Sequence, residues 1–125
     1  MILYLYLFWI GGLSYQIVEI LWSGHTHWSM FLAGGTCLIV IDGIYSTFAN
    51  TIPVLLILGL CAVSITCIEF FTGCIFNLRL KQNVWDYSAL KGNISGQICP
   101  KYTFYWLLLS VPAILLTVFI RHLFS

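Results

Sequence analysis

Four apolar stretches, each about as long as a bilayer is thick, decide what this chain can fold into. They run from Ile2 to Trp22, Trp28 to Phe48, Ile52 to Phe76 and Tyr102 to Ile120. A helix rising ~1.5 Å per residue needs about 20 mainly apolar residues to cross ~30 Å of hydrocarbon. Lipid offers the peptide groups no water, so each segment must satisfy its own N–H and C=O groups, and four short spans cannot close into a barrel. The expected fold is an all-α membrane protein, one domain over residues 1–125 with four transmembrane helices. Composition agrees: 61% of the 125 residues are hydrophobic and 7% charged, against about 25% charged in a soluble domain. That leaves too little polar surface for a water-soluble fold.

The net charge of +1 and the lack of basic clusters argue against nucleic-acid binding, leaving the lipid bilayer as the expected partner. The first apolar run has no basic segment before it, contains Glu19 and shows no small-residue cleavage site, so a cleaved signal peptide is not expected. The cysteines, at 37, 61, 67, 74 and 99, are odd in number and never spaced CxxC. The first four lie within apolar runs, which fits small packing residues better than a disulfide framework.

The first two connections, Ser23 to His27 and Ser46 to Thr51, are short and imply antiparallel hairpins. The third, about 77–101, is long and holds Arg79, Lys81, Lys91 and Lys101, whereas the termini and second connection offer only Arg121. The positive-inside rule then places the first and third connections in the cytoplasm and both termini outside the cell membrane. Aromatic residues gather near the boundaries, among them Trp9, Trp22, Trp28, Trp85, Tyr87, Tyr102 and Trp106. They read as an interfacial belt, with stacking on a ligand as the alternative.

Offsetting the chain by 50 residues lays Gly12 to Glu19 on Ala62 to Glu69, with Ser and Glu recurring at the same spacing. Such a match fits two hairpins in parallel repeat about an axis along the membrane normal; chance similarity is the other reading. Positions 12, 16, 19 and 23 share one helix face and read Gly, Gln, Glu, Ser, while 62, 66, 69 and 73 read Ala, Thr, Glu, Gly. Small or polar stripes of this kind let helix backbones approach closely in lipid and usually face a neighbouring helix.

Glu19, Asp42 and Glu69 are the acids within the spans. A charge at the bilayer centre costs at least ~2.5–3.5 kcal/mol, so each needs a partner, water or a proton. Glu69 is the deepest, either a protonatable or cation-binding group or a neutral carboxyl bridging helices. Glu19 and Asp42 read more readily as structural. His25 and His27 could sit near one metal, but zinc needs three or four ligands and no pattern supplies the rest, although Cys99 could be recruited. Phosphate-cradling glycine loops, hydrolase elbows and HExxH are missing, which argues against an ATPase within this chain. Asn93-Ile94-Ser95 matches a glycosylation acceptor that a cytoplasmic loop would leave unused.

In the third connection Trp85 and Tyr87 suit headgroup depth, Asp86 can pair with Arg79 or Lys81, and Gly92 and Gly96 permit tight turns. The loop, with Asn93, is expected to fold back on the bundle as a gate beneath Glu69 or as a structural cap. At Trp85-Asp86-Tyr87-Ser88, at Gly92 to Cys99 and at Glu69-Phe70-Phe71-Thr72-Gly73 the chain resembles the bacterial family described as putative ABC-transporter type IV permease. Its first hairpin, Glu19 to Trp22 and Gly24 to Met30, is similar to short members. Ser23 and Lys91 depart from the arginine and proline such members carry, and the first change removes a salt-bridge partner for Glu19. The resemblance implies a polytopic membrane protein and, through the transporter label, a separate ATP-binding subunit.

Three functions follow as expectations. The first is a permease-like or small-solute transport component, completed by a homo-oligomer or partner membrane subunit because four helices enclose little volume. The second is a non-transporting scaffold or accessory subunit. The third, the weakest, is a metal-dependent membrane enzyme built on His25, His27 and Cys99. No cofactor and no catalytic residues are expected.

Overall fold

The computed structural model describes residues 2–82 and 84–124. Its helices are α1 (Ile2–Ser23), α2 (Trp28–Phe48), α3 (Val54–Gly73) and α4 (Pro100–Leu123), and α3 runs on through a π-helical turn, Cys74–Arg79. All four are long and apolar enough to cross a membrane. The third helix outlasts the apolar run that ends at Phe76, because the π turn carries it to Arg79. The fourth starts two residues earlier than Tyr102, because Pro100 stands where its missing N–H costs nothing and its fixed φ suits a first turn.

Local chemistry sets the other ends. Gly24, at φ +85, stops α1, and its amide donates to the Ile20 carbonyl at 2.9 Å. His27 then caps α2, its Nδ1 accepting from the Ser29 amide at 3.1 Å. Pro53 precedes α3 in an extended conformation.

Among the helix pairs α1 and α2 pack most closely, and glycines make it possible. A Cβ on Gly34 would lie 2.5 Å from Cβ of Tyr15 and 2.8 Å from the Gly11 carbonyl oxygen; one on Gly11 would lie 2.8 Å from the Gly34 carbonyl oxygen. Gly12 and Gly35 likewise seat Phe31 and Phe8. Close backbone approach of this kind replaces the hydrophobic drive that lipid cannot supply.

The interior between α2, α3 and α4 is filled by Cys37, Ile41, Ile57, Cys61, Ile65 and Trp106, and a second cluster joins Leu7, Leu38 and Ile120. Outside, apolar side chains such as Leu21 and Leu55 are 81% and 72% exposed, a surface suited to acyl chains. Helices α1 and α4 meet along little of their length. A groove of about 370 Å³ opens there, walled by residues including Gly11, Tyr15, Trp106, Leu109 and Leu116.

Replacing Gly34 by alanine is expected to lower stability by about 1–3 kcal/mol, because the methyl meets backbone and not a movable tip. Gly43 and Gly59, whose added Cβ would meet nothing within 4 Å, are the controls and tolerate alanine. Denaturant titration of helicity in mixed micelles measures both, and equal stability of Gly34→Ala and Gly59→Ala would contradict the packing account.

Candidate functional site

The polar groups within the spans separate into two sites at opposite ends of the bundle. Near the ends of α2 and α4, Asp42 is 1% exposed and takes a two-pronged ion pair from Arg121, Nε at 2.5 Å and the second guanidinium nitrogen at 2.8 Å. Fork-to-carboxylate geometry of this kind is the strong form of the ion pair. Asp42 is thereby satisfied and ties α2 to α4. Reading the sequence missed the partner, yet the signal was present: with four spans, α2 and α4 end on the same side, each bringing one charge.

Glu69, on α3, is 6% exposed, and neither carboxyl oxygen has a hydrogen-bond partner of good geometry among the described residues. The donors that act on it are the Trp106 indole of α4 and the Tyr87 hydroxyl of the long loop. Tyr15 of α1 and Cys37 of α2 face it as well. Beside it lies a cavity of about 10 Å³ walled by Tyr15, Met30, Ala33, Cys37, Ile65 and Trp85, among others. That is about the space one water needs.

Glu69 shares its stripe with Ala62, Thr66 and Gly73, and the stripe faces α4 and the loop. Ala62 is buried, Thr66 shares a 3.0 Å hydrogen bond with Thr103 of α4, and Gly73 lies against Gln97 and Trp85. The matching stripe of α1 faces α2 and the first connection: Gly12 meets Phe31, and Gln16 donates to the His27 carbonyl at 3.4 Å. Glu19 itself is half-buried and accepts from the Ser23 hydroxyl at 3.3 Å, a neutral partner. The two acids differ because a short connection leaves Glu19 open, whereas the long one closes over Glu69.

That closure rests on two side chains the sequence reading passed over. Buried Asn77, one turn beyond Gly73, accepts from the amides of Val84 (2.6 Å) and Trp85 (3.3 Å) and donates to Gln97 Oε1 at 2.8 Å. The Trp85 indole donates to the Gln97 carbonyl at 3.0 Å, and the Tyr87 amide to the Gly96 carbonyl at 2.8 Å. Gly73 has no side chain because Gln97 and the Trp85 ring occupy the space. Asn93 staples the tip, donating to the Leu90 carbonyl at 2.8 Å and accepting from the Gly96 amide at 3.0 Å.

The expected pairing of Asp86 with Arg79 or Lys81 is not formed. Asp86 accepts instead from the amide of Ser88 at 2.9 Å and from its hydroxyl, a closed turn within reach of its own backbone. Those bonds hold its carboxyl below the ordinary value. The turn is therefore intact at neutral pH and loosens as pH falls through that lowered value. Arg79 ends the π turn exposed, where a cation suits the helix C-terminus. Burial pushes the Tyr87 phenol up, with the Glu69 carboxyl adding to it, so Tyr87 remains a donor.

The boundary aromatics form a connected array. Tyr87 stacks on Tyr102 at 4.6 Å between centroids, Tyr102 meets Trp106 at 6.5 Å, and Trp106 meets Tyr15 edge-on at 5.6 Å. The array runs from the loop past Glu69 to the groove. His27 is occupied as the cap of α2 and packs on Phe76, while His25 is exposed. Among the described residues no three of His, Cys, Asp and Glu come together as a metal-holding group.

Compared with known proteins, residues 3–124 match the model of the family described as "Putative ABC-transporter type IV". No curated protein and no solved structure matches the chain.

Removing one member of the Asp42–Arg121 pair strands a charge in the bundle. Arg121→Gln is expected to cost about 2 kcal/mol, below the range for a fully buried pair because the arginine side chain is 42% exposed. Adding Asp42→Asn should recover much of that loss. A double-mutant cycle measured by unfolding in micelles checks it, and strictly additive losses would mean the pair is not coupled.

Proposed function

With nearly its whole length matched, the chain belongs to the Putative ABC-transporter type IV family, and from that premise we propose that it is a membrane component of a transport system whose polar centre is Glu69. The observation that carries this reading is the carboxyl itself: buried, with no hydrogen bond of good geometry among the described residues, and beside space for one water. A fold needing only a helix staple has a better one in Asp42 and Arg121. A costly polar group left unsatisfied marks a place where a proton or cation is exchanged. The groups facing it are Tyr15 and Glu19 from α1, Cys37 from α2, Trp106 from α4 and Tyr87 from the loop. None is a fixed cation.

The family description makes a separate ATP-binding subunit the natural partner, since this chain carries no phosphate loop of its own. The groove between α1 and α4 is open at the side, so a second copy or a partner membrane subunit would complete any closed path. Arg79, Lys81, Lys91 and Lys101 lie at the connecting loop, while Arg121 at the other end is engaged by Asp42. We place the loop in the cytoplasm and both termini outside on that asymmetry.

The test is flux in proteoliposomes over a panel of small solutes with pH varied. Glu69→Gln keeps the shape of the side chain and removes its charge. It is expected to retain helicity and elution volume and to reduce pH-dependent flux to that of protein-free vesicles. Undiminished flux in the variant would overturn the role. A scaffold, the reading that the Asp42–Arg121 tie favours, predicts instead no flux from the wild type and lower thermal stability of Glu69→Ala.

A further inference from the structure

The groove between α1 and α4 and the cavity at Glu69 share three wall residues, Tyr15, Cys37 and Ile65. One layer of side chains therefore separates a lipid-facing recess of about 370 Å³ from a buried carboxyl with no hydrogen bond of good geometry among the described residues. The recess has the volume of a small-molecule site. Its walls are apolar except for Ser14 and the aromatic tips of Tyr15 and Trp106, whose rings meet edge-on at 5.6 Å. We propose that this groove binds a lipophilic organic cation drawn from the bilayer, its charge held by the faces of Tyr15 and Trp106 and by the carboxylate of Glu69 behind them. The proposal rests on the reading of Glu69 as the polar centre and names the class of ligand that centre takes.

Charge complementarity selects this occupant over the others. An acyl chain would fill the apolar walls but leave Glu69 without a counter-charge. The lysines and arginines of a second copy do not line this groove: Arg79, Lys81, Lys91 and Lys101 lie in or beside the loop, and Arg121 is engaged by Asp42. A hard inorganic cation takes six or more oxygen ligands, whereas the cavity beside Glu69 is walled mainly by rings, one thiol, one thioether and aliphatic side chains. Aromatic faces attract a diffuse organic cation, most strongly where water is excluded. Tyr15 stands in the partition between the two spaces. Binding itself makes and breaks no covalent bond.

The experiment is equilibrium dialysis of the detergent-solubilised full chain against radiolabelled tetraphenylphosphonium, with tetraphenylborate as an anion of the same size and shape. The expected result is saturable binding of the phosphonium, weakened about tenfold or more by Glu69→Gln, and no comparable binding of the borate. Ser14→Phe, which fills the groove from α1, should also weaken phosphonium binding with helicity retained. Equal binding of both ions, or phosphonium binding indifferent to Glu69→Gln, overturns the proposal, and the wild-type comparison does so without relying on any variant folding. Glu69-dependent flux of other solutes without phosphonium binding would retire this site and leave the transport reading standing. Phosphonium binding without flux would support the site and retire the transport reading.

Discussion

Where α1 crosses α2, the two backbones come so close that a single methyl on Gly11 or Gly34 would strike a carbonyl oxygen of the other helix. In water, helices are driven together by excluding solvent from apolar faces. In lipid the tails are as apolar as leucine, and association depends on how closely atoms can pack. Much of the architecture follows from that contact. It commits α1 to α2, draws it away from α4, and leaves between α1 and α4 a groove that no helix of this chain fills. The remaining helices close around α2 through a core of medium-sized apolar side chains, anchored at one end by Asp42 and Arg121.

The other end is closed by a loop and not by a helix. Its hold is a set of hydrogen bonds centred on Asn77 and Gln97, with Trp85 laid over the bare backbone of Gly73. Every part of that set has its partners, whereas Glu69, directly beneath, has none of good geometry among the described residues. A well-satisfied cover over an unsatisfied acid is the reverse of what stability alone would select, since an unpaired buried polar group costs free energy a neutral side chain would not. The contrast with Asp42 inside the same bundle sharpens the point. One acid is locked by a permanent cation; the other is left available beside a wall of aromatic rings.

How much of this the sequence disclosed follows from the range of each interaction. The four spans and the second helix's limits, Trp28 and Phe48, were legible because transfer into lipid depends on local hydropathy alone. The ends of α3 and α4 moved because a π turn and Pro100 continue helix past the apolar runs. The inward stripe of Ala62, Thr66, Glu69 and Gly73 was legible from helical periodicity, and Trp85 and Tyr87 from their unusual setting. The hold of Asn77 on Gln97, 20 residues away, and of Arg121 on Asp42, 79 residues away, depend on which helices end together and at what depth. Asp86 shows the opposite case, a nearby serine winning over more distant cations because the local turn costs less chain entropy.

Glu69 lies against Tyr15 and Trp106 inside the bundle, and the two sites depend on that placement. Magic-angle-spinning NMR in lipid bilayers reads this directly, because the chain has only two glutamates and Glu69→Gln assigns their side-chain carboxyl carbons. With glutamate and aromatic rings labelled, the Glu69 carboxyl should show through-space contacts to tyrosine and tryptophan rings and none to acyl-chain protons. Contacts to the acyl chains in place of the rings would contradict the account.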